Sequence, residues 1–187
     1  MTDALGESFA LVLDGARAGE GWAFERLFHA LAKPVAAYLR GAGVEDPDGG
    51  ANEVFLRAFR SLDRFDGNED RFRSWMFTIA HHLLIDERRR LSRRPRPVPL
   101  DDTNHEPVTD DSFVALGDDR VRHLLTHLAP DQRDVVLLRI VADLSIEDTA
   151  AALGKRPGAV KALQHRAMRT LRARIEEDGI EEEGVSR

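Results

Sequence analysis

One stretch decides what this chain can become. Between Arg93 and Asp118 lie Pro95, Pro97, Pro99 and Pro107, together with Asp101, Asp102, Glu106, Asp110 and Asp111. Proline fixes φ and removes an amide donor, and clustered acids repel one another, so regular structure is not expected there. The segment 93–118 reads as a flexible acidic linker that divides the 187 residues into two blocks. Residues 1–92 and 119–177 each have room for one small domain, and 178–187 reads as an acidic, disordered tail.

Charge sharpens the division. The net charge of −6, taken whole, argues against a nucleic-acid partner. Divided along the chain, residues 1–92 carry −3, 93–118 carry −3, 119–175 carry +5 and 176–187 carry −5. One segment is basic and its surroundings are acidic, so the asymmetry is more informative than the pI. The chain has no cysteine, which excludes disulfide staples and thiolate metal sites. The stretch Met1–Leu13 is acidic, and its longest apolar run is Phe9–Leu13. A membrane span needs about 20 apolar residues, so no membrane insertion is expected, and a cytoplasmic setting is.

Both blocks carry apolar residues at helical spacing. Helices are expected at 6–18, 22–41, 49–63 and 71–92, then at 119–129, 130–142, 145–153 and 157–177. The fold class is all-α, with two small helical domains. The third helix is a clear amphipath: Val54, Phe55, Ala58, Phe59, Leu62 and Phe65 share one face, and Glu53, Arg57, Arg60 and Arg64 the other. Pro130 suits a first helical turn, where its missing N–H costs nothing. Ser145 with Asp148 resembles a capping box, and Gly154 can take the positive φ that ends a short helix.

The stretch Leu144–Arg172 has the spacing of a helix-turn-helix: a short helix, a turn at Gly154–Arg156, and a long helix from Pro157. On a helical wheel Val160, Leu163, Ala167, Leu171 and Ile175 cluster on one side. Lys161, His165, Arg169 and Arg172 lean the other way, with small Gly158 and Ala162 between them and Arg166 at the edge. A helix entering a major groove needs this layout of packed back, small residues and outward donors. From Lys155 to Arg174 there are seven Lys or Arg and no acid.

The first block is less explicit. Arg88–Arg96 holds six arginines in nine residues, which suits either a helix C-terminus or phosphate contact. Phe72, Trp75, Phe77, His81 and His82 lie near the polar loop Asp66–Asp70. They read as core, or as a stacking surface for single-stranded DNA beside a cationic track. There is no Gly-rich phosphate loop and no nucleophile elbow, and the adjacent histidines do not converge on one metal. No catalytic residue, cofactor or metal is expected, and the chain is not read as an enzyme.

Two segments carry a family resemblance. DPDGGANEVFLRAFRSLDRFDGNEDRFRSWMFTIAHHLLIDERRR (46–90) resembles region 2 of the small, group IV (extracytoplasmic-function) sigma factors of bacteria. LAPDQRDVVLLRIVADLSIEDTAAALGKRPGAVKALQHRAMRTLR (128–172) resembles their region 4. The resemblance implies a factor that binds core RNA polymerase, at its largest-subunit clamp and its flap, and confers promoter specificity. Asp48, Asn52, Glu53, Phe55 and Arg57 match the clamp-binding helix. Asn68, Arg71, Arg73, Trp75, His81, His82, Arg88 and Arg89 match the part that opens the −10 element and holds a flipped base, whose lost stacking must be offset by contacts. Arg139, Lys155, Arg156, Lys161, Ala162, His165, Arg166 and Arg169 match the −35 contacts. The family also implies promoter DNA and an anti-sigma factor as partners. Three positions depart from its pattern: Gly50 stands where Leu is usual and delays the expected start of the third helix, His82 replaces a common Asn, and Leu163 replaces a common Arg. Two other readings use the same features: a stand-alone helix-turn-helix regulator with 1–92 as a dimerisation or sensor domain, and a decoy that binds polymerase but no DNA.

Overall fold

The computed structural model describes residues 8–92 and 119–184. The expected linker 93–118 lies outside them. Among the described residues all regular structure is helical: α1 (Phe9–Arg17), α2 (Gly21–Gly41), α3 (Pro47–Arg60), a 3₁₀ turn at Leu62–Arg64, α4 (Glu69–Ser92), α5 (Asp119–Thr126), α6 (Pro130–Ile140), α7 (Ile146–Leu153) and α8 (Pro157–Gly184).

In the first half, α2 is the central element. Its face Ala23, Leu27, Leu31, Val35, Tyr38 and Leu39 is buried against α1, α3 and α4. α3 starts earlier than the glycines suggest. The Asp46 carboxylate caps it, accepting from the Gly49 amide at 2.9 Å, and Pro47 fills the first turn. A Cβ on Gly50 would come within 2.9 Å of Leu39 Cδ1, so this glycine lets α3 approach α2 rather than delaying the helix.

The second half holds the motif expected of it. Ser145 Oγ accepts the Asp148 amide at 3.0 Å and caps α7, and Gly154 ends α7 with φ 61°. Val135, Ala150 and Val160 form a small core where α6, α7 and α8 meet, flanked by Ile146, Leu153 and Leu163. α8 runs to Gly184, beyond the helix end expected at 177 and into the expected tail. Glutamate is a good helix former, and the single Gly179 costs only about 1 kcal/mol. The expected burial of Ile175 does not hold. It is 49% exposed, because α8 there has outrun the helices that cover its apolar side.

The two halves pack on each other. One continuous apolar cluster contains Tyr38, Phe77 and Leu84 from the first half, and Leu125, Leu137, Leu144 and Ala152 from the second. α4 lies against α7, and α2 touches α6.

Candidate nucleic-acid interface

α8 is organised by its two faces. Val160 and Ala167 are fully buried, while Leu163 and Leu171 are half-buried. Lys161, Ala162, His165, Arg166 and Arg169 are all exposed, as are Gly158 and Ala159 in the first turn. An open hollow lined by Lys161, His165, Arg169 and Arg172 runs along this face. The Arg166 guanidinium bonds back to the Ala162 carbonyl at 3.2 Å through its Nε, and the residue is exposed. Such a helix can present donors to phosphates and base edges without unpacking anything.

The other expected −35 contacts differ from one another. Arg156 is exposed just before α8. Lys155 is half-buried and pairs with Asp131 at 2.7 Å. Arg139 is half-buried in α6, and its Nε is buried without a partner among the described residues.

α4 is built differently. Arg71, His82 and Arg89 are exposed, and so is Asn68, whose side chain accepts the Arg71 amide at 3.1 Å and steadies the start of the helix. The rest face inward. Trp75 is half-buried among Phe65 and Phe72, with centroids 5.1 and 5.8 Å away. His81 is 7% exposed, and its Nδ1 lies 3.0 Å from the buried Tyr38 hydroxyl. Burial pushes the His81 pKa down, outweighing attraction to Asp134. Tyr38 is pushed well up, first by burial and then by Asp134. Arg88 forks onto Asp134 of α6 at 2.8 and 2.9 Å. Burial alone would weaken the Arg88 charge; the hydrogen bonds and charge of Asp134 outweigh it and raise the pKa. The Arg73 guanidinium has a buried Nη1 without a partner among the described residues. Burial lowers its pKa, offset in part by Asp143, Glu69 and Asp70.

On α3, Asp48, Asn52 and Arg57 are exposed and Glu53 is half-buried. Arg57 bonds Glu53 at 2.7 Å, with Asp86 of α4 3.8 Å away. Phe55 does not belong with them. It is 3% exposed and packed against Phe28 and Phe59, so the apolar face of α3 claims it for the core. The apolar side chain on the outer face is Leu56, 50% exposed and one turn from Asn52. The i, i+4 spacing of Asn52 and Leu56 was visible in the sequence and could have pointed to it.

Two sigma-70 family models match this chain: region 2 over residues 25–94 and region 4 over 118–171. Among curated proteins it is similar to the ECF RNA polymerase sigma factor BldN of Streptomyces coelicolor, 33% identical over 174 residues that span 89% of this chain and 66% of BldN. The ECF RNA polymerase sigma factor SigD of Mycobacterium tuberculosis is 32% identical over 181 residues, 91% of this chain and 85% of SigD. The chain belongs to the ECF RNA polymerase sigma factors. Proteins of this family direct RNA polymerase to promoters. Among solved structures this sigma factor is similar to CnrH, determined in complex with the cytosolic domain of CnrY, at TM-score 0.64 and 28% identity over 92% of this chain and 99% of CnrH. The matched regions cover α7 and α8 up to Leu171 and all of α3 and α4, the helices whose surfaces are described above.

Proposed function

We propose that this sigma factor divides promoter recognition between α8 and α4 while α3 holds core polymerase. Lys161, Ala162, His165, Arg166 and Arg169 of α8 read the −35 element in the major groove, with Arg139, Lys155 and Arg156 on flanking phosphates. The segment 66–70 at the start of α4, with Asn68, Arg71, Arg73, Trp75, His81, His82, Arg88 and Arg89, opens the −10 element and holds a flipped base. Asp48, Asn52, Glu53 and Arg57, with Leu56 in place of Phe55, meet the polymerase clamp. Residues 1–92 act as the −10 and polymerase domain, 119–177 as the −35 domain and 93–118 as a tether between them. The protein catalyses no reaction itself and works in the cytoplasm, where polymerase is. By likeness to CnrH, which was solved with a protein partner, an anti-sigma protein is a further partner.

The observation that carries the reading is the outer face of α8, on which Lys161, His165, Arg166 and Arg169 are all exposed above a buried back. Run-off transcription with core polymerase tests it. A new start site used only when the chain is present is expected. Lack of any redirected start, or a two-half-site footprint by the chain alone, would favour the stand-alone regulator.

A further inference from the structure

His123 and His127 are four residues apart, so their side chains stand one above the other where α5 gives way to the turn before α6. Both are exposed, and the proposed promoter and polymerase contacts use neither. Their Nε2 atoms lie 3.2 Å apart, while the ring centres are 4.8 Å apart and the planes cross at 87°. The two nitrogens are therefore the facing edges of the pair. An imidazole ligates a metal through a neutral ring nitrogen. Two such bonds of about 2.0–2.1 Å, opened to a tetrahedral angle, set their nitrogens about 3.3 Å apart. The pair already has the spacing that ligation needs. The backbone beneath it is held in place. Leu125 and Leu128 are buried in the same apolar cluster as Ala167 of α8. Arg133 Nε donates to the Leu125 carbonyl at 2.9 Å, and Thr126 Oγ1 donates to the His123 carbonyl at 2.7 Å. The His127 amide closes the turn on the Leu124 carbonyl at 3.2 Å. Arg122, the nearest cation in sequence, is paired with Asp119, so its charge is offset beside the two rings.

We propose that His123 and His127 form a binding site for a divalent transition-metal cation, with water completing its shell. Imidazole nitrogen suits zinc, nickel and copper, and among these copper(II) binds most tightly; magnesium and calcium seek oxygen ligands and are refused. Among the described residues no third His, Asp or Glu joins the pair, so this is an open, exchangeable site rather than a closed structural one. The bound ion takes the place of the hydrogen bond between the rings and clips the last turn of α5 to the turn that follows. α5 comes directly after 93–118 in the chain and packs on α8, so the clip lies at the entrance to the second half. An ion that binds only the folded form stabilises it, and that half becomes more stable as the metal concentration rises.

The test titrates the full chain with zinc chloride by calorimetry, with magnesium chloride as the negative control. The parent should bind one zinc ion, and magnesium should give no heat beyond dilution. His123→Gln and His127→Gln should each abolish zinc binding, whereas His29→Gln, exposed on α2, should leave it intact. Circular dichroism without metal verifies that the variants fold, which their exposed positions favour. Zinc at ten times its dissociation constant should raise the melting midpoint of the parent by about 3 °C and leave that of either pair variant unmoved. Copper(II) on the unaltered chain gives a further readout that needs no variant: its electron resonance spectrum should carry the hyperfine pattern of two imidazole nitrogens. Absence of binding by the parent, or zinc binding that survives loss of either histidine, would overturn the site. Binding with no rise in melting midpoint would mean that the unfolded chain holds the ion equally well, and would overturn the claim that the fold builds the site.

Discussion

α4 and α8 are the longest helices of the two halves, both carry the cations expected of a DNA-binding surface, and the fold treats them in opposite ways. On α8 the basic side chains stand in solvent above a small apolar core of their own. On α4 three of them are drawn into the boundary between the halves, and Arg88 is bound by an acid of α6. A face of the first kind is ready for duplex DNA. A face of the second kind must first exchange partners, which suits a contact made only after the molecule has docked elsewhere. The difference teaches that basic character in a sequence does not reveal whether a charge is available; the acids that fold against it decide that.

The largest expected effect breaks the α8 side of the comparison. Val160 is 0% exposed, and Val160→Asp forces an unpaired charge into the core shared by α6, α7 and α8. A loss of about 4 kcal/mol is expected, seen as unfolding of the second half in chemical denaturation while the α1–α4 signal persists. Next is the exposed face itself. Arg166→Ala should weaken holoenzyme binding to its promoter about tenfold and reduce discrimination at one −35 position, measured by competition between promoter variants. Arg89→Ala, exposed on α4, should leave −35 discrimination unchanged in the same assay. A smaller change sharpens the α4 side: Asp46→Ala removes the cap of α3 and should lower stability of the first half by about 1 kcal/mol in thermal unfolding.

The smallest effect concerns pH. His81 has its folded-state pKa held below the ordinary value of 6.5, mainly by burial. The unfolded chain therefore binds a proton that the folded chain resists, and stability falls as pH drops below 6.5 toward the folded value. Denaturant midpoints measured on either side of pH 6.5 should show this slope, and His81→Leu should flatten it.

Much of this was legible beforehand, for local reasons. Pro130, the Ser145–Asp148 cap and Gly154 are short-range signals, and each stands where the sequence puts it. The outer face of α8 was legible because a helix with one buried side repeats every 3.6 residues. What was not legible depends on distant partners. Arg88 and Asp134 lie 46 positions apart on either side of 93–118, and no periodicity links them. Phe55 shows a conflict between two signals: the family pattern offered it to polymerase, while its own apolar face placed it beside Phe28. Gly50 looked like a helix breaker from its own propensity and turned out to be a point of close approach to Leu39.

The central claim is that α8 sits on the −35 element only within the polymerase complex. Because the chain has no cysteine, Ala173→Cys at the exposed edge of the α8 hollow can carry a DNA-cleaving chelate at one place. With core polymerase and promoter DNA, cleavage should cluster at the −35 element and vanish when polymerase is omitted. Cuts of equal strength without polymerase, or cuts scattered along the DNA in its presence, would contradict the account.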